Sequence, residues 1–323
     1  MNAPKDGKWI RDLAPDTAVA DAARHVLLLR LEVVEERLPA ALDEADHDPE
    51  HVHQLRVATR RAAAALRIFR GCLPRKVFKR ARSVLGALRR AAGLARDWDV
   101  FIIDLRAARS TQTAAAFPGI DFLLGYAFSE RTVAQGELEA AGRPEVRRFE
   151  RLLAETAAAA GDKRRGAHAT FRNLAGDVLG ELRAKLEAGL NEDRDDFSHL
   201  HRIRIAGKRL RYAMEVFVEC YPAAFRDDLY PLVEEMQEIL GNVNDSSVAV
   251  GRLQALHDRL QDGKLIDWSL VGPGIEAFLA WHHRRVTAEQ ARLQDWLQRW
   301  REAKAESILE SRSGEVDKSD SRI

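Results

Sequence analysis

The sequence predicts an all-α protein built from two copies of one helical unit, packed about a pseudo-twofold axis. Ala, Leu, Arg and Glu dominate the 323 residues and only 7% are aromatic, a composition that favours helix over sheet. The Val/Ile/Thr alternation that marks strands is almost absent. The chain also repeats itself: residues 18–105 set against 166–253, an offset of 148, give twenty identities in eighty-eight positions without a gap. The matches are particular and do not follow from composition alone: Arg24 with Arg172, His51 with His199, His53 with His201, Arg56 with Arg204, Arg61 with Arg209, Phe69 with Phe217, Cys72 with Cys220, Pro74 with Pro222, Gly93 with Gly241, Asp97 with Asp245. Pro-Gly-Ile recurs at 118–120 and 273–275, now 155 apart, so seven residues are inserted between 253 and 273. Duplicated units of this kind commonly pack about a twofold axis. We read 1–15 as an N-terminal extension, 16–161 as the first repeat, 162–307 as the second and 308–323 as a disordered tail, the repeats forming one domain.

Each element has its own signal. Asp16 or Thr17 is placed to cap a first helix running to about Leu42, with Leu27, Leu28, Leu31, Val34 and Leu38 on one face. The polar turn DEADHDPE follows. A second helix starts near His51, where the histidine helps it begin, and ends near Gly71. Pro74 opens a third helix. Gly93 is a candidate left-handed cap that ends it, and Asp97 or Asp99 caps the next. From Pro118 to about Ala160 there is room for two more helices, mirrored from Pro273 to about Ser307.

A net charge of +1 conceals an uneven distribution. Between His53 and Arg96 stand thirteen Arg and Lys and no Asp or Glu. Like charges spaced along a helix cost about 0.2–0.5 kcal/mol per pair, so this stretch tolerates self-repulsion that a polyanion would relieve. On a wheel of about 100° per residue, Arg56, Arg60 and Arg67 fall within about 60° of His53. Leu55, Ala58, Ala62, Ala65, Leu66 and Phe69 gather opposite. In the second copy His201, Arg204, Lys208 and Arg211 form the stripe, and Ile203, Ala206, Leu210, Met214 and Phe217 the apolar side. Arg75, Arg82, Arg89 and Arg96, seven apart, make a further ladder. Arginine suits phosphate because its planar fork donates two parallel hydrogen bonds and stays charged. A histidine at the head of such a stripe can gain a proton beside an anion and donate as well.

These residues carry a family resemblance. VHQLRVATRR with the following ALRIF, LHRIRIAGKRLRYAMEVF, GLARDWDV and GNVNDSSV resemble the CHAD family, the conserved histidine α-helical domain, over roughly residues 16–305. The resemblance implies two repeats of about four long helices each around a basic central cavity that binds inorganic polyphosphate, and association with polyphosphate granules. Position by position it assigns His53, Arg56, Arg60 and Arg61 to the first motif and His201, Arg204, Lys208, Arg209 and Arg211 to the second. Arg82 and Arg89 join them from the third helix, and Arg24, Arg67, Lys79, Arg96 and Arg172 are further candidates. Ala63 stands where the family commonly has another basic residue, and Glu215 is the counterpart of Arg67. Both put the symmetry of the site in question.

The same residues admit other readings. Alternate histidines can chelate a metal, but arginines beside them repel a cation and no Cys or carboxylate cluster recurs with them. Asp97 and Asp245 follow glycines and fit helix caps better than catalytic acids, with a second role in orienting a nearby arginine. Cys72 and Cys220 fit small buried residues. Arg24-His25, His47-Asp48 and His257-Asp258 are fragments of phosphohydrolase signatures, without a glycine loop and without recurrence, and no Walker loop or nucleophile elbow is present. The expectation is a binding protein, not an enzyme, with no cofactor and no metal. Nucleic acid or an acidic protein is the alternative partner; stacking aromatics are missing from the stripes except Tyr212. The N-terminus lacks a run of signal-peptide length, and the apolar stretch HVLLLRLEVV is broken by Arg30 and Glu32. The expectation is therefore a cytoplasmic location, on or off polyphosphate granules, with no membrane partner.

Overall fold

The computed structural model describes residues 8–160, 170–191, 197–263 and 266–303. All regular structure among them is helical: α1 (Val19–Asp43), α2 (Glu50–Ile68), α3 (Arg75–Arg109), α4 (Phe117–Val146), α5 (Phe149–Ala160), α6 (Phe171–Leu190), α7 (Phe197–Val216), α8 (Tyr230–Gly263) and α9 (Trp268–Glu302). Single 3-10 turns at Arg70–Cys72 and Val218–Cys220 end α2 and α7 at matching points, and a π turn at Phe225–Leu229 leads into α8.

Each helix buries the stripe that its sequence sets apart. Val52, Leu55, Ala58, Ala62, Ala65 and Leu66 of α2 are buried, as are Ile203, Leu210, Ala213 and Met214 of α7. Phe69 and Phe217 sandwich Phe171, with ring centroids 6.4 and 5.0 Å away. One continuous core runs through all the described helices. The helices of the first half pack mainly on each other, as do α6 to α9, and the halves meet where counterparts touch: α1 on α6, α2 on α7, α3 on α8 and α4 on α9. Where α4 meets α9 the two Pro-Gly-Ile stretches lie back to back. A Cβ on Gly119 would fall 2.1 Å from the Val271 carbonyl oxygen and 2.8 Å from Gly274 Cα, and one on Gly274 would fall 2.6 Å from Gly119 Cα. Only glycine at both positions lets α4 and α9 approach so closely.

Several sequence expectations are corrected. α3 does not stop at Gly93 and α8 does not stop at Gly241; both run on unbroken. Leu88, Ala92, Ala95 and Trp98 continue one buried face past Gly93, and that packing outweighs a glycine penalty of about 1 kcal/mol. Asp97 and Asp99 are consequently mid-helix and cap nothing; their carboxylates go to Arg56 and Arg131. At the start of α1 the N-cap is Ala18 and no side chain caps it; the segment before it is tied to the start of α6, the Pro15 and Thr17 carbonyls accepting from the amides of Arg172 and Phe171. Leu28 is only half-buried. The start of α2 is tied down by Asp48, whose side chain accepts from the Glu50 amide at 2.8 Å, while His51 faces Glu44 at 3.7 Å. Two helices do fill 117–160, but α9 is single.

Residues 8–15, read as an extension, are part of the packing. Ile10 is buried and its amide donates to the Glu215 carbonyl at 3.1 Å, and Trp9 lies against Tyr230. Cys72 and Cys220 are buried free thiols. The tail reading at 308–323 lies outside the described residues. No helix among those described is long and apolar enough to cross a membrane.

Candidate functional site

Because α2 and α7 turn their apolar faces to the core and pack side by side, their polar stripes open onto the same space. Two adjoining cavities result. The inner one, on the α8 side, about 290 Å³, is lined from α2 by His53, Arg56 and Arg60, from α7 by Arg204, Lys208 and Arg211, from α3 by Arg96 and Asp97, and from α8 by Glu234, Gln237, Glu238 and Asp245. The outer one, on the side of the N-terminal half of α3, about 650 Å³, shares Arg56, Arg60, Asp97, Arg204 and Lys208 and adds Arg67, Arg82, Arg89, Arg90, His201 and Arg209. The result is a continuous cationic trough.

Several of its cations keep donors without a partner, although carboxylates of α3 and α8 also line it. Arg60, Arg204 and Arg211 each keep a buried Nε with no hydrogen-bond partner, donors that an anion would satisfy. Burial, and then Arg204, Arg60 and Arg56 beside it, push the Lys208 amine down to about 6. Burial and the Arg96 guanidinium likewise lower His53. Arg60, Arg67 and Arg204 are lowered first by burial, with neighbouring guanidinium groups adding to it. Arg56 is the best held: it donates to Asp97 Oδ1 at 2.7 Å and to the Gly93 carbonyl at 3.3 Å. Asp97 thus orients an arginine, the second role that its sequence position suggests. Arg211 donates to Glu234 at 3.0 Å.

The structure gathers most of the sequence candidates and sets some apart. Arg61 lines neither cavity. It donates from Nε to the fully buried Glu215 at 2.8 Å, so its charge is committed inside the protein. Arg24 and Lys79 are exposed elsewhere, on α1 and α3, and Arg172 is half-buried at the start of α6; none lines the trough. Arg67, Arg96, Arg82 and Arg89 do line it.

Sequence reasoning does not single out Arg90, Gln237, Glu238 or Asp245 as trough residues. Arg90 sits inside the acid-free run and is legible there. The other three lie on α8, and their place follows only from the packing of α8 on α7. At Gly207, where α2 has Thr59, the ends of the Met236 and Gln237 side chains of α8 fill the space that a Cβ would take, at 2.2 Å for Met236 Cε and 2.4 Å for Gln237 Nε2.

A family model described as the CHAD domain matches residues 25–254. The solved structure described as the CHAD domain from the plant Ricinus communis is 26% identical, with 90% of this chain and 93% of that chain covered and a TM-score of 0.65. The structure of PptA from Streptomyces chartreusis is 17% identical, with 87% of this chain and 100% of that chain covered and a TM-score of 0.57; it shares the fold. No curated protein matches the chain.

Proposed function

The chain belongs to the CHAD domain family, and on that premise we propose that it binds inorganic polyphosphate without cleaving it and associates through it with polyphosphate granules in the cytoplasm. One observation carries the reading: Arg56 and Arg60 of α2 and Arg204 and Lys208 of α7 line both cavities, so one linear anion passing through the trough meets cations from both helices. Polyphosphate repeats a charge at every unit, and cations recur along the α2 and α7 sides of the trough. Charge-assisted hydrogen bonds contribute about 1.5–3 kcal/mol each when well made, which suffices for tight binding from a handful of arginines. Guanidinium groups stay protonated, so the arginines of the trough hold phosphate across the whole physiological pH range.

Nucleic acid is the second reading, and Tyr212 speaks against it. This aromatic side chain of the trough is buried at 3% exposure, with Arg60 and Arg211 packed 5.9 and 5.1 Å from its ring, so it offers no face for a base to stack on. Thermal unfolding with long-chain polyphosphate tests the proposal: a rise in Tm that falls with salt supports it, and no shift at low salt overturns it. Competition by DNA or RNA separates the two readings. Orthophosphate release from polyphosphate would overturn the non-catalytic part.

A further inference from the structure

The inner and outer parts of the trough have opposite walls. At positions 148 apart, α3 carries Arg89, Arg90 and Arg96 where α8 carries Gln237, Glu238 and Asn244. The outer cavity is walled by Arg82, Arg89 and Arg90 of α3, whereas the inner one is closed by Glu234, Gln237, Glu238 and Asp245 of α8. A phosphate chain on the α2 and α7 cations of the inner cavity therefore turns its remaining oxygens toward carboxylates. Glu234 is neutralised by Arg211 and Lys8, and Glu238 meets Arg292 at 3.4 Å on its exposed side. Asp245 forms no ion pair among the described residues; its Oδ1 accepts from Asn244 at 3.1 Å. Gln237 is only 8% exposed, yet its side-chain oxygen and nitrogen both lack a partner and it lines this cavity. The buried amide calls for one donor and one acceptor at the α8 wall.

A hydrated divalent cation on the phosphate supplies what this wall lacks. Mg²⁺ characteristically takes one or two carboxylates together with phosphate oxygens and keeps several waters. Its waters would donate to Gln237 Oε1, and Gln237 Nε2 would donate to a phosphate oxygen. Among the described residues no group of three or more His, Cys, Asp or Glu converges to hold a metal ion by itself, and the surrounding arginines repel a free one. We propose that the inner cavity binds polyphosphate as its magnesium complex, with Asp245, supported by Gln237 and Glu238, receiving a cation that arrives on the phosphate chain.

This inference rests on the polyphosphate reading, and the two fail separately. Binding of long-chain polyphosphate to the full chain is measured in EDTA and in Mg²⁺ at equal ionic strength, for wild type, Asp245→Asn and the surface variant Glu238→Gln, which leaves packing untouched. In EDTA, removing a carboxylate beside an anion leaves affinity equal or tighter. In Mg²⁺ the same substitution weakens binding by about tenfold for Asp245→Asn, the loss of one charge-assisted interaction, and less for Glu238→Gln. Variants that bind tighter than wild type in both media overturn the magnesium site while leaving polyphosphate binding intact. Wild type that fails to bind in EDTA and in Mg²⁺ overturns both.

Discussion

Arg61 of α2 and Glu215 of α7 meet across the two cationic helices, Nε to Oε2, at 2.8 Å. Glu215 is fully buried, with Arg30 of α1 3.7 Å away and the Tyr230 hydroxyl donating to it at 2.9 Å. The acid that breaks the symmetry of the repeat is thus the tie that holds two like-charged helices side by side. Removing one partner of a buried pair typically costs about 3–5 kcal/mol because the other charge is stranded. Glu215→Ala is therefore expected to lower stability by about that amount in denaturant unfolding. A loss below about 1 kcal/mol would mean that the pair is solvated in the protein as it exists.

A second expectation concerns protons. Lys208 sits at about 6, far below the ordinary lysine value of about 10.4, so at neutral pH its amine is uncharged in the free protein. The groups facing it are Arg204 on its own helix, Arg60 and Arg56 on α2, and Asp245 on α8. Because the unfolded chain holds a proton that the folded chain lacks, this group makes the unliganded protein more stable as pH rises from about 6 to about 10. A bound polyanion reverses the depression, so binding takes up a proton and affinity rises as pH falls toward about 6. Calorimetry in buffers of different ionisation enthalpy reads the uptake directly. Lys208→Met is expected to reduce it, leaving the smaller share of His53, whose value is lowered for the same reasons. No difference between wild type and variant would refute the assignment.

The close approach of Gly119 to Gly274 gives a third. Gly119→Ala drives a methyl into the Val271 carbonyl and is expected to cost at least about 1–3 kcal/mol, the range for overpacking. Gly136→Ala on the same helix meets nothing within 4 Å and is expected to stabilise by about 0.5–1 kcal/mol. Thermal melts of the pair decide it; equal effects would show that α4 and α9 are not pinned at this point.

What is legible in the sequence is what is local. The stripes of α2 and α7 are readable because Leu55 to Phe69 and Ile203 to Phe217 recur at the helical period, which fixes the opposite face as well. Gly93 misleads because a glycine inside a helix and one at its end look alike until Trp98 and Ala95 are seen to share a core face with Leu88. Arg61 falls in with the trough residues through its place in the motif, although it lies about 100° from Arg60 on the helical wheel; only the packing of α7 on α2 reveals that Glu215 claims it. The α8 wall is visible as an alignment difference from α3, but which cavity it closes depends on packing between elements distant in sequence.

The most direct test of the shared trough is a polyphosphate titration across a salt series for Arg56→Ala with Arg204→Ala, beside a control double variant, Arg24→Ala with Lys79→Ala, whose charges lie outside the trough. The trough double variant is expected to weaken binding by at least about a hundredfold, at about 1.5 kcal/mol or more for each charge-assisted hydrogen bond removed. Its salt slope should be shallower by about 0.7 for each cation removed, if polyphosphate behaves as a single-stranded polyanion, while the control stays within about threefold of wild type, as expected for charges outside the site. Equal losses in the two double variants would mean that net surface charge does the binding, and the trough between α2 and α7 would not be the site.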